Sequence, residues 1–139
     1  MKIKQVRCSG GVVFKQKGKV LVVNQRNVSW SLPKGHINEG EETLKAAQRE
    51  IYEESGVKNL EFIKSLGSYK RYGMASEGSN NRSEMKKITM FLFKTDQEKL
   101  KPLDPHNPEA VWVDKEKVTD FLTHSADKKF FIKHLGEIA

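Results

Sequence analysis

The sequence predicts an α/β fold in which a mixed β-sheet lies between helices. The 139 residues match the common size of one domain, and a chain of this length buries enough surface to need no disulfide or metal staple. Short apolar segments with strand-like patterns precede and follow one strongly helical segment near residue 50, and two further helical segments come last. The resulting order, ββ(β)αβββαα, favours a single domain over residues 1–139 with helices packed on the sheet.

The N-terminal part predicts a β-hairpin. Strand patterns cover residues 8–14 and 20–23, and the turn residues 17–19 lie between them. A further short apolar segment, 30–32, stops at Pro33, because proline cannot donate a hydrogen bond to a β-ladder.

A loop over residues 35–40 leads to the clearest helix of the sequence. The pattern predicts a helix from about residue 43 to 55, and Gly56 is well placed as its left-handed cap. At about 100° per residue, three apolar side chains fall on one stripe that should face the core. These side chains are Leu44, Ala47 and Ile51.

The second half returns to strand patterns. Residues 60–72 predict one or two strands, and the polar segment 73–83 predicts a loop. Residues 88–93 are apolar on both faces, as expected of a central strand. A connection with prolines, 101–108, then precedes a short strand at 111–113.

Two helices should complete the chain. Asp114 is a candidate cap for a helix that reaches about His124, and Ser125 or Asp127 is a candidate cap for one that ends near Ile138.

The composition excludes several classes of protein. No apolar run approaches the roughly 18 residues of a membrane-spanning helix, and residues 1–7 lack the apolar stretch of a signal peptide. Cys8 is the single cysteine, which excludes an intramolecular disulfide and a metal site built from several cysteines. Together these features favour a cytoplasmic protein. The net charge of +7 indicates an anionic partner, such as a nucleotide, a nucleic acid or another phosphate-rich molecule.

Three glutamates near the end of the predicted helix recur at helical spacing. Glu50, Glu53 and Glu54 lie beside the core stripe, where like charges repel and the helix dipole disfavours anions. A solvated acidic face is the ordinary explanation, but a shared divalent cation accounts for both costs. Oxygen ligands favour Mg²⁺, Mn²⁺ or Ca²⁺ over zinc. Arg49, four residues before Glu53, is placed to hold that carboxylate in one orientation.

The same segment resembles the Nudix box. That motif reads glycine, five residues, glutamate, seven residues, arginine and glutamate, an aliphatic residue, any residue, two glutamates, any residue, glycine and an aliphatic residue. This chain matches every defined position, at Gly35, Glu41, Arg49, Glu50, Ile51, Glu53, Glu54, Gly56 and Val57. The length and the element order also suit the α/β/α sandwich of the Nudix fold.

The resemblance implies hydrolysis of a nucleoside diphosphate linked to another group, with Mg²⁺ or Mn²⁺ as cofactor. Carried onto this chain, it makes Glu50 and Glu54 the principal metal ligands and the backbone carbonyl of Gly35 a further ligand. Glu53 becomes an additional ligand, or the residue that orients or deprotonates the attacking water, because relatives differ in which glutamate is the base. Glu41 would brace the loop.

Many Nudix enzymes carry another catalytic acid in the loop before a tryptophan-containing strand. The resemblance makes Asp104, His106 and Glu109 candidates for that role, with Glu84 as a more distant one. Where some relatives carry a glutamate, this chain has His106, so the base or ligand outside the box stays open among these residues.

The segment before the box, WSLPKGH at residues 30–36, resembles that of dinucleoside polyphosphate hydrolases and diphosphoinositol polyphosphate phosphohydrolases. In it, Lys34 is placed to neutralise a polyphosphate, and Trp30 either packs in the core or stacks on a base. Basic and aromatic side chains after the helix suit an adenine ring with a phosphate tail, and the loop over 73–83 is placed to close over such a ligand. The favoured substrate contacts are Lys34, Tyr69, Arg71, Lys86 and Trp30, within a wider set that includes Lys64, Lys70, Tyr72, Arg82 and Lys87.

The favoured substrate is diadenosine tetraphosphate or a longer homologue, cleaved asymmetrically to ATP and the complementary nucleotide. The alternatives are a diphosphoinositol polyphosphate and the 5′ end of RNA. A non-catalytic Nudix-like sensor or nucleic-acid-binding module is the alternative of another class. The charges agree with a metal-bridged anion, because residues 35–57 carry a net charge of −4 and the remainder +11.

Overall fold

In a computed structural model, the chain forms a mixed β-sheet with helices on both faces, as predicted. The structure describes residues 3–74 and 80–139, and within them no helix has the length and hydropathy needed to span a bilayer. The strands are β1 (Lys4–Lys15), β2 (Lys19–Gln25), β3 (Ser29–Ser31), β4 (Lys34–His36), β5 (Glu61–Met74), β6 (Asn80–Lys94) and β7 (Glu109–Asp114). The α-helices are α1 (Thr43–Ser55), α2 (Val118–Phe121) and α3 (Ser125–His134), and 3-10 turns cover Gln16–Gly18, Lys115–Lys117 and Leu135–Glu137.

Strand β1 lies in the middle of the sheet. It runs parallel to β6 on one side, and on its other side it pairs antiparallel with β4 at residues 8–10 and with β2 at its end. Strand β2 also pairs with β3 and β7, and β6 pairs antiparallel with β5. The parallel β1–β6 pair is what makes the sheet mixed.

Each face of the sheet has its own core, because successive side chains along a strand point to opposite faces. On one face α2 and α3 complete a core in which Val12 packs with Phe131. On the other face α1 places Ile51 in a core with Phe93. We call these the cleft face and the α1 face. This two-sided packing confirms the predicted α/β/α arrangement.

The β5–β6 hairpin is longer than the sequence predicts. Much of the predicted loop over 73–83 is strand, because the ladder continues through the pairs Gly73–Asn81 and Met74–Asn80. Residues 75–79 of that loop lie outside the described residues.

The predicted caps of the C-terminal helices are confirmed only in part. Asp114 holds the N-cap position of the 3-10 turn Lys115–Lys117 that leads into α2, but its side chain forms an ion pair with Lys19 at 2.7 Å and makes no capping hydrogen bond. The cap of α3 is His124, whose Nδ1 accepts a hydrogen bond from the Ala126 N–H at 3.1 Å. The predicted caps Ser125 and Asp127 are wrong, because Ser125 is the first residue of the helix and Asp127 is fully buried in its first turn. The last helix also ends early, at His134, and continues as a 3-10 turn.

Candidate active site

Helix α1 is held firmly by its buried stripe and by its C-terminal cap. Ala47 and Ile51 are fully buried. The helix ends at Gly56, where φ is +82° and the N–H donates to the Tyr52 carbonyl at 2.7 Å. A Cβ at Gly56 would lie 2.5 Å from the Lys101 carbonyl oxygen, so both the backbone conformation and the close approach require glycine. The predicted core stripe and cap are therefore confirmed.

Arg49 organises the carboxylates around it. Its guanidinium donates to both oxygens of Glu41 at 2.8 and 2.9 Å, to Glu50 at 2.8 Å and to Glu53 at 3.1 Å. It also donates to the His36 carbonyl at 2.9 Å, which joins the helix to the loop before it. These bonds hold the pKa of Glu41 at about 2, and they offset the repulsion that the glutamate spacing creates.

Glu50 lies directly against the backbone of β4, whose residues 35 and 36 the sequence predicts as the start of a loop. A Cβ on Gly35 would lie 2.1 Å from Glu50 Oε2, so this approach is open only to glycine. Burial raises the pKa of Glu50, Arg49 opposes that shift, and the neighbouring carboxylates of Glu53 and Asp104 add to it. The Glu50 carboxylate is thus short of positive charge despite its bond to Arg49.

Glu54 is a buried carboxylate, with 5% of its surface exposed. It accepts a hydrogen bond from the Lys34 backbone N–H at 3.0 Å, and the Asn107 side chain lies against it. Burial raises the pKa of Glu54 to about 8, and the charge of Glu50 contributes in the same direction while Lys34 opposes it. A nearby cation would favour the ionised form of this buried carboxylate.

The three glutamates of α1 do not yet surround a common point. Across residues 3–74 and 80–139, no three carboxylate, imidazole or thiolate groups converge closely enough to enclose a metal ion. The contacts explain this, because Arg49 holds the Glu53 carboxylate and the Lys34 N–H holds that of Glu54. Glu50 and Glu54 nevertheless line one cleft of about 280 Å³ together with Gly35.

The loop after β6 completes this cleft. The N–H groups of Leu103 and Asp104 donate to the Glu53 carbonyl at 2.9 and 3.0 Å, which satisfies a carbonyl left open at the end of α1. Asp104 Oδ1 then accepts from the His106 N–H at 2.9 Å. As a result Asp104 and His106 line the cleft opposite Gly35, whereas Glu109 is exposed on β7 and lies outside the cleft lining.

Among the predicted substrate contacts, Lys34 and Lys86 line the cleft. The Lys34 side chain is 4% exposed, and no hydrogen-bond partner for its Nζ is found among the described residues. Burial and the nearby Arg71 lower the pKa of Lys34 to about 8. Glu84, one of the candidates outside the box, forms a long ion pair of 4.0 Å with Lys86.

A buried ionic cluster lies behind Lys34 on the cleft face. Arg71 Nε is 3.5 Å from Asp127 Oδ1, which also accepts a hydrogen bond from the Tyr69 hydroxyl at 2.5 Å. Although burial alone would raise it, the pKa of Asp127 is lowered by the charges of Lys34 and Arg71. The Tyr69 ring in turn stacks on Phe130 of α3, with 4.5 Å between the ring centroids.

Trp30 lies apart from this group. Its ring packs edge-on against Phe121 at 5.4 Å, and its backbone N–H donates to Thr123 Oγ1 at 2.9 Å. These contacts join β3 to the end of α2, and Trp30 does not line the cleft. A contact between Trp30 and a base stays a prediction.

Sequence reasoning missed two buried polar residues of the site, Asp127 and Asn107. Asp127 shares a helical face with Phe130 and Phe131, so an acid on the core face of α3 was the available signal. Asn107 offered no such signal, because its position depends on how the loop after β6 caps α1.

Comparisons with known proteins agree with this fold. The NUDIX domain profile matches residues 4–135. An RNA pyrophosphohydrolase of Bartonella henselae is 33% identical over 94% of this chain and 88% of its own length. One from Pelagibacter ubique is 34% identical, over 81% of this chain and 78% of its own.

Two solved structures share the fold at lower sequence identity. An Ap4A hydrolase from C. elegans has a TM-score of 0.75 and 19% identity, and covers 95% of this chain and 96% of its own. The dihydroneopterin triphosphate pyrophosphohydrolase of E. coli has a TM-score of 0.77 and 15% identity, and covers 99% of each chain.

Proposed function

The chain belongs to the Nudix family of pyrophosphohydrolases, and we propose that it hydrolyses a phosphoanhydride bond in a polyphosphate chain carried by the 5′ position of a nucleoside. The observation that carries the proposal is the cleft itself. Its carboxylates, Glu50 and Glu54, and the cations Lys34 and Lys86 line one cleft of about 280 Å³. This arrangement suits an anionic chain whose charge is neutralised by a metal and by ammonium groups together.

The residues present fit a divalent cation. Burial raises the pKa values of both Glu50 and Glu54, and the charge of Glu50 adds to the shift at Glu54, so a cation bound by both would favour their ionised forms. Both offer hard oxygen ligands, and the glycine at position 35 leaves its backbone open beside Glu50. When bound, Mg²⁺ or Mn²⁺ would neutralise phosphate charge and make water more acidic.

The protein's own groups position the substrate and the water. Lys34 Nζ, buried and without a hydrogen-bond partner in the described part of the chain, is free to bind a phosphate oxygen. Glu53 is our proposed base, with Arg49 fixing its carboxylate from 3.1 Å. Water then adds to one phosphorus atom, and the bridging oxygen leaves with the neighbouring phosphate.

Asp104 is the strongest candidate for a catalytic group outside the box. It lies in the cleft, and its charge raises the pKa of Glu50, so the two carboxylates are close in space. His106 also lines the cleft, and its backbone N–H donates to Asp104 Oδ1 at 2.9 Å. We place Asp104 before His106 because a carboxylate offers the hard oxygen ligands that Mg²⁺ and Mn²⁺ prefer.

Two substrate classes carry the required chain, namely the 5′-triphosphate end of RNA and the diadenosine polyphosphates. The pattern WSLPKGH at 30–36 favours the diadenosine compounds. The relatives of 33 and 34% identity are named RNA pyrophosphohydrolases, and this similarity places RNA first in our proposal. The product from RNA would be a 5′-monophosphate end and pyrophosphate.

A substrate panel with product analysis tests the proposal. It compares triphosphorylated RNA, diadenosine tetraphosphate, nucleoside triphosphates and a diphosphoinositol polyphosphate, each with Mg²⁺, with Mn²⁺ and with a chelator. Water labelled with heavy oxygen identifies the phosphorus that is attacked. Metal-dependent turnover that Glu53→Gln lowers by about 100-fold or more is expected. If no substrate turns over while wild type and Glu53→Gln bind nucleotide equally, the chain is a sensor or a binding module.

A further inference from the structure

The basic residues of β5 and β6 are divided between the two faces of the sheet. Lys86 pairs across the ladder with Arg71, and both side chains belong to the cleft face. Lys87 follows Lys86 in β6, and Lys70 precedes Arg71 in β5. Because neighbouring side chains of a strand point to opposite faces, Lys87 and Lys70 pair with each other on the α1 face. The cations that look like one set in the sequence therefore form two sets in the fold.

The second set continues into a third strand. Lys87 of β6 is also in register with Arg7 of β1, so Arg7, Lys87 and Lys70 form one row across three neighbouring strands. All three side chains are exposed. Neighbouring strands are about 4.8 Å apart, so the row spans roughly 10 Å. Like charges in direct cross-strand positions are destabilising, and this row therefore has a cost for folding.

No carboxylate on the same strands offsets this row. Strands β1, β5 and β6 contain two acidic residues, Glu61 and Glu84, and the register places both on the cleft face. Within residues 3–74 and 80–139, neither Arg7, Lys70 nor Lys87 forms an ion pair. Among the described residues, the row is thus a positive strip without a paired carboxylate.

Helix α1 leaves this part of the sheet uncovered. The helix begins at Thr43, whose carbonyl accepts a hydrogen bond from Ser9 Oγ at 2.7 Å, so its first turn lies over Ser9 and not over the row. Further along the same face, Phe62 is 47% exposed and packs edge-on against Phe91 with 6.1 Å between the ring centroids. The exposed aromatic ring therefore lies on the same face as the cations, six residues along β6 and about 20 Å from the row.

We propose that this open surface binds single-stranded RNA, with phosphates on the Arg7–Lys87–Lys70 row and a base against Phe62. Single-stranded nucleic acid is commonly bound by a combination of cations that follow the backbone and aromatic rings that stack on bases. The cation row lies at the same end of β5 and β6 as Lys86 of the cleft, but on the opposite face of the sheet, and Phe62 lies at the other end of β5. The surface would hold the body of an RNA that passes around the β5 edge of the sheet and places its 5′ end in the cleft. The hydrolysis of the RNA 5′ end rests on the proposed function, whereas the binding of single-stranded RNA to this surface does not.

The test measures binding separately from hydrolysis. The probe is a single-stranded oligoadenylate RNA with a 5′-hydroxyl and a 3′ fluorophore, and its anisotropy is followed over a range of salt concentrations. The triple variant Arg7→Gln, Lys70→Gln, Lys87→Gln should bind about tenfold or more weakly at low salt. Its plot of log affinity against log salt should be shallower by about 2, at ~0.7 per lost phosphate contact.

A matched triple variant controls for net charge. Lys58, Lys99 and Lys117 are exposed and lie outside the sheet, so changing all three to Gln removes the same charge elsewhere. This control should bind the probe within about twofold of wild type. Equal losses in the two triple variants would overturn the proposal. Phe62→Ala should weaken binding by about fivefold or more, as expected for one stacked base, and unchanged binding would remove Phe62 from the site.

Hydrolysis separates this inference from the proposed function. With a long triphosphorylated RNA, the Arg7, Lys70 and Lys87 triple variant should lose about tenfold in kcat/KM, and with a triphosphorylated dinucleotide it should match wild type. Equal rates on the long RNA would refute the inference and leave the proposed function standing. RNA binding that depends on the row, without turnover of any substrate, would refute the proposed function and leave the inference standing.

Discussion

Glu54→Gln should make the metal-free protein more stable and the enzyme much less active. The Glu54 carboxylate is 5% exposed, and burial raises its pKa from 4.5 to about 8. Because the folded pKa is higher than the unfolded one, the contribution of Glu54 to stability is complete below pH 4.5. It is lost progressively as the pH rises towards 8. Glutamine keeps the shape of the side chain and an acceptor for the Lys34 N–H, and it has no charge to desolvate.

The size of the effect follows from the same pKa values. pH 7 lies about 2.5 pH units above the unfolded pKa of Glu54 and below its folded pKa, which at 1.36 kcal/mol per unit gives an upper limit of about 3.4 kcal/mol for the gain in stability. Glutamine cannot ionise, so Lys34 also loses the counter-charge of the ionised fraction of Glu54, and this loss makes the gain smaller. We therefore expect Glu54→Gln to be about 1–2 kcal/mol more stable at pH 7, or about 3–8 °C in Tm.

The assay is thermal unfolding with a chelator between pH 5 and 8. The difference in Tm between variant and wild type should widen as the pH rises. Burial lowers the pKa values of His36 and His124, so these histidines add stability as the pH rises, but they do so equally in both proteins and do not affect the difference. Added Mg²⁺ should stabilise wild type and do so much less in the variant. Turnover should fall by about 100-fold or more. A variant that is less stable than wild type at every pH, or that retains activity within a few-fold, would refute the reasoning.

Three further predictions concern the frame of the site. Gly35→Ala places a Cβ 2.1 Å from Oε2 of Glu50, our proposed metal ligand, so kcat/KM should fall by about tenfold or more. The circular dichroism spectrum should stay unchanged, and full activity would contradict the close approach. Asp127→Asn leaves two buried cations without their counter-ion, and chemical denaturation should show a loss of about 3 kcal/mol, against less than about 0.5 for the exposed Asp120→Asn. Asp104→Asn should lower kcat in steady-state assays by about tenfold or more, whereas Glu109→Gln should not. Equal effects of the two variants would exclude Asp104 as the catalytic group outside the Nudix box.

The local parts of the structure could be predicted, because their geometry is fixed by spacing along one helix. Glu50, Glu53 and Glu54 are neighbours on α1 wherever that helix packs, and Gly56 ends it by its own backbone conformation. Arg49 was correctly expected to hold Glu53. Its two bonds to Glu41, eight residues away, depend on how the loop before α1 folds back.

The assignment of basic residues to faces could not be predicted in the same way. Each β-bulge of β5 changes which side chains share a face, and shifts of register occur after Phe62, Ser65 and Tyr72. The Tyr69–Asp127 bond joins residues 58 positions apart, and no local pattern relates them. The number of bulges decides that Arg71 faces the cleft and Lys70 does not.

The distribution of buried charged residues also indicates that the region next to the cleft is less stable than an apolar core of the same size would be. Lys34, Glu54, Arg71 and Asp127 are all buried, and they lie close together, because the charges of the other three shift the pKa of Lys34. Apolar residues of similar size would commonly stabilise such a position. The other core, around Ile51 and Phe93, carries no comparable ionic group among the described residues. The ionic groups are therefore not a general feature of the core but a local one, next to the cleft. When Glu54 is ionised, the four charges balance, two against two, so a cation or a phosphate bound alone would leave an excess, whereas a metal polyphosphate would add both signs together. On electrostatic grounds we therefore expect this group of charges to favour a metal polyphosphate over either of its parts.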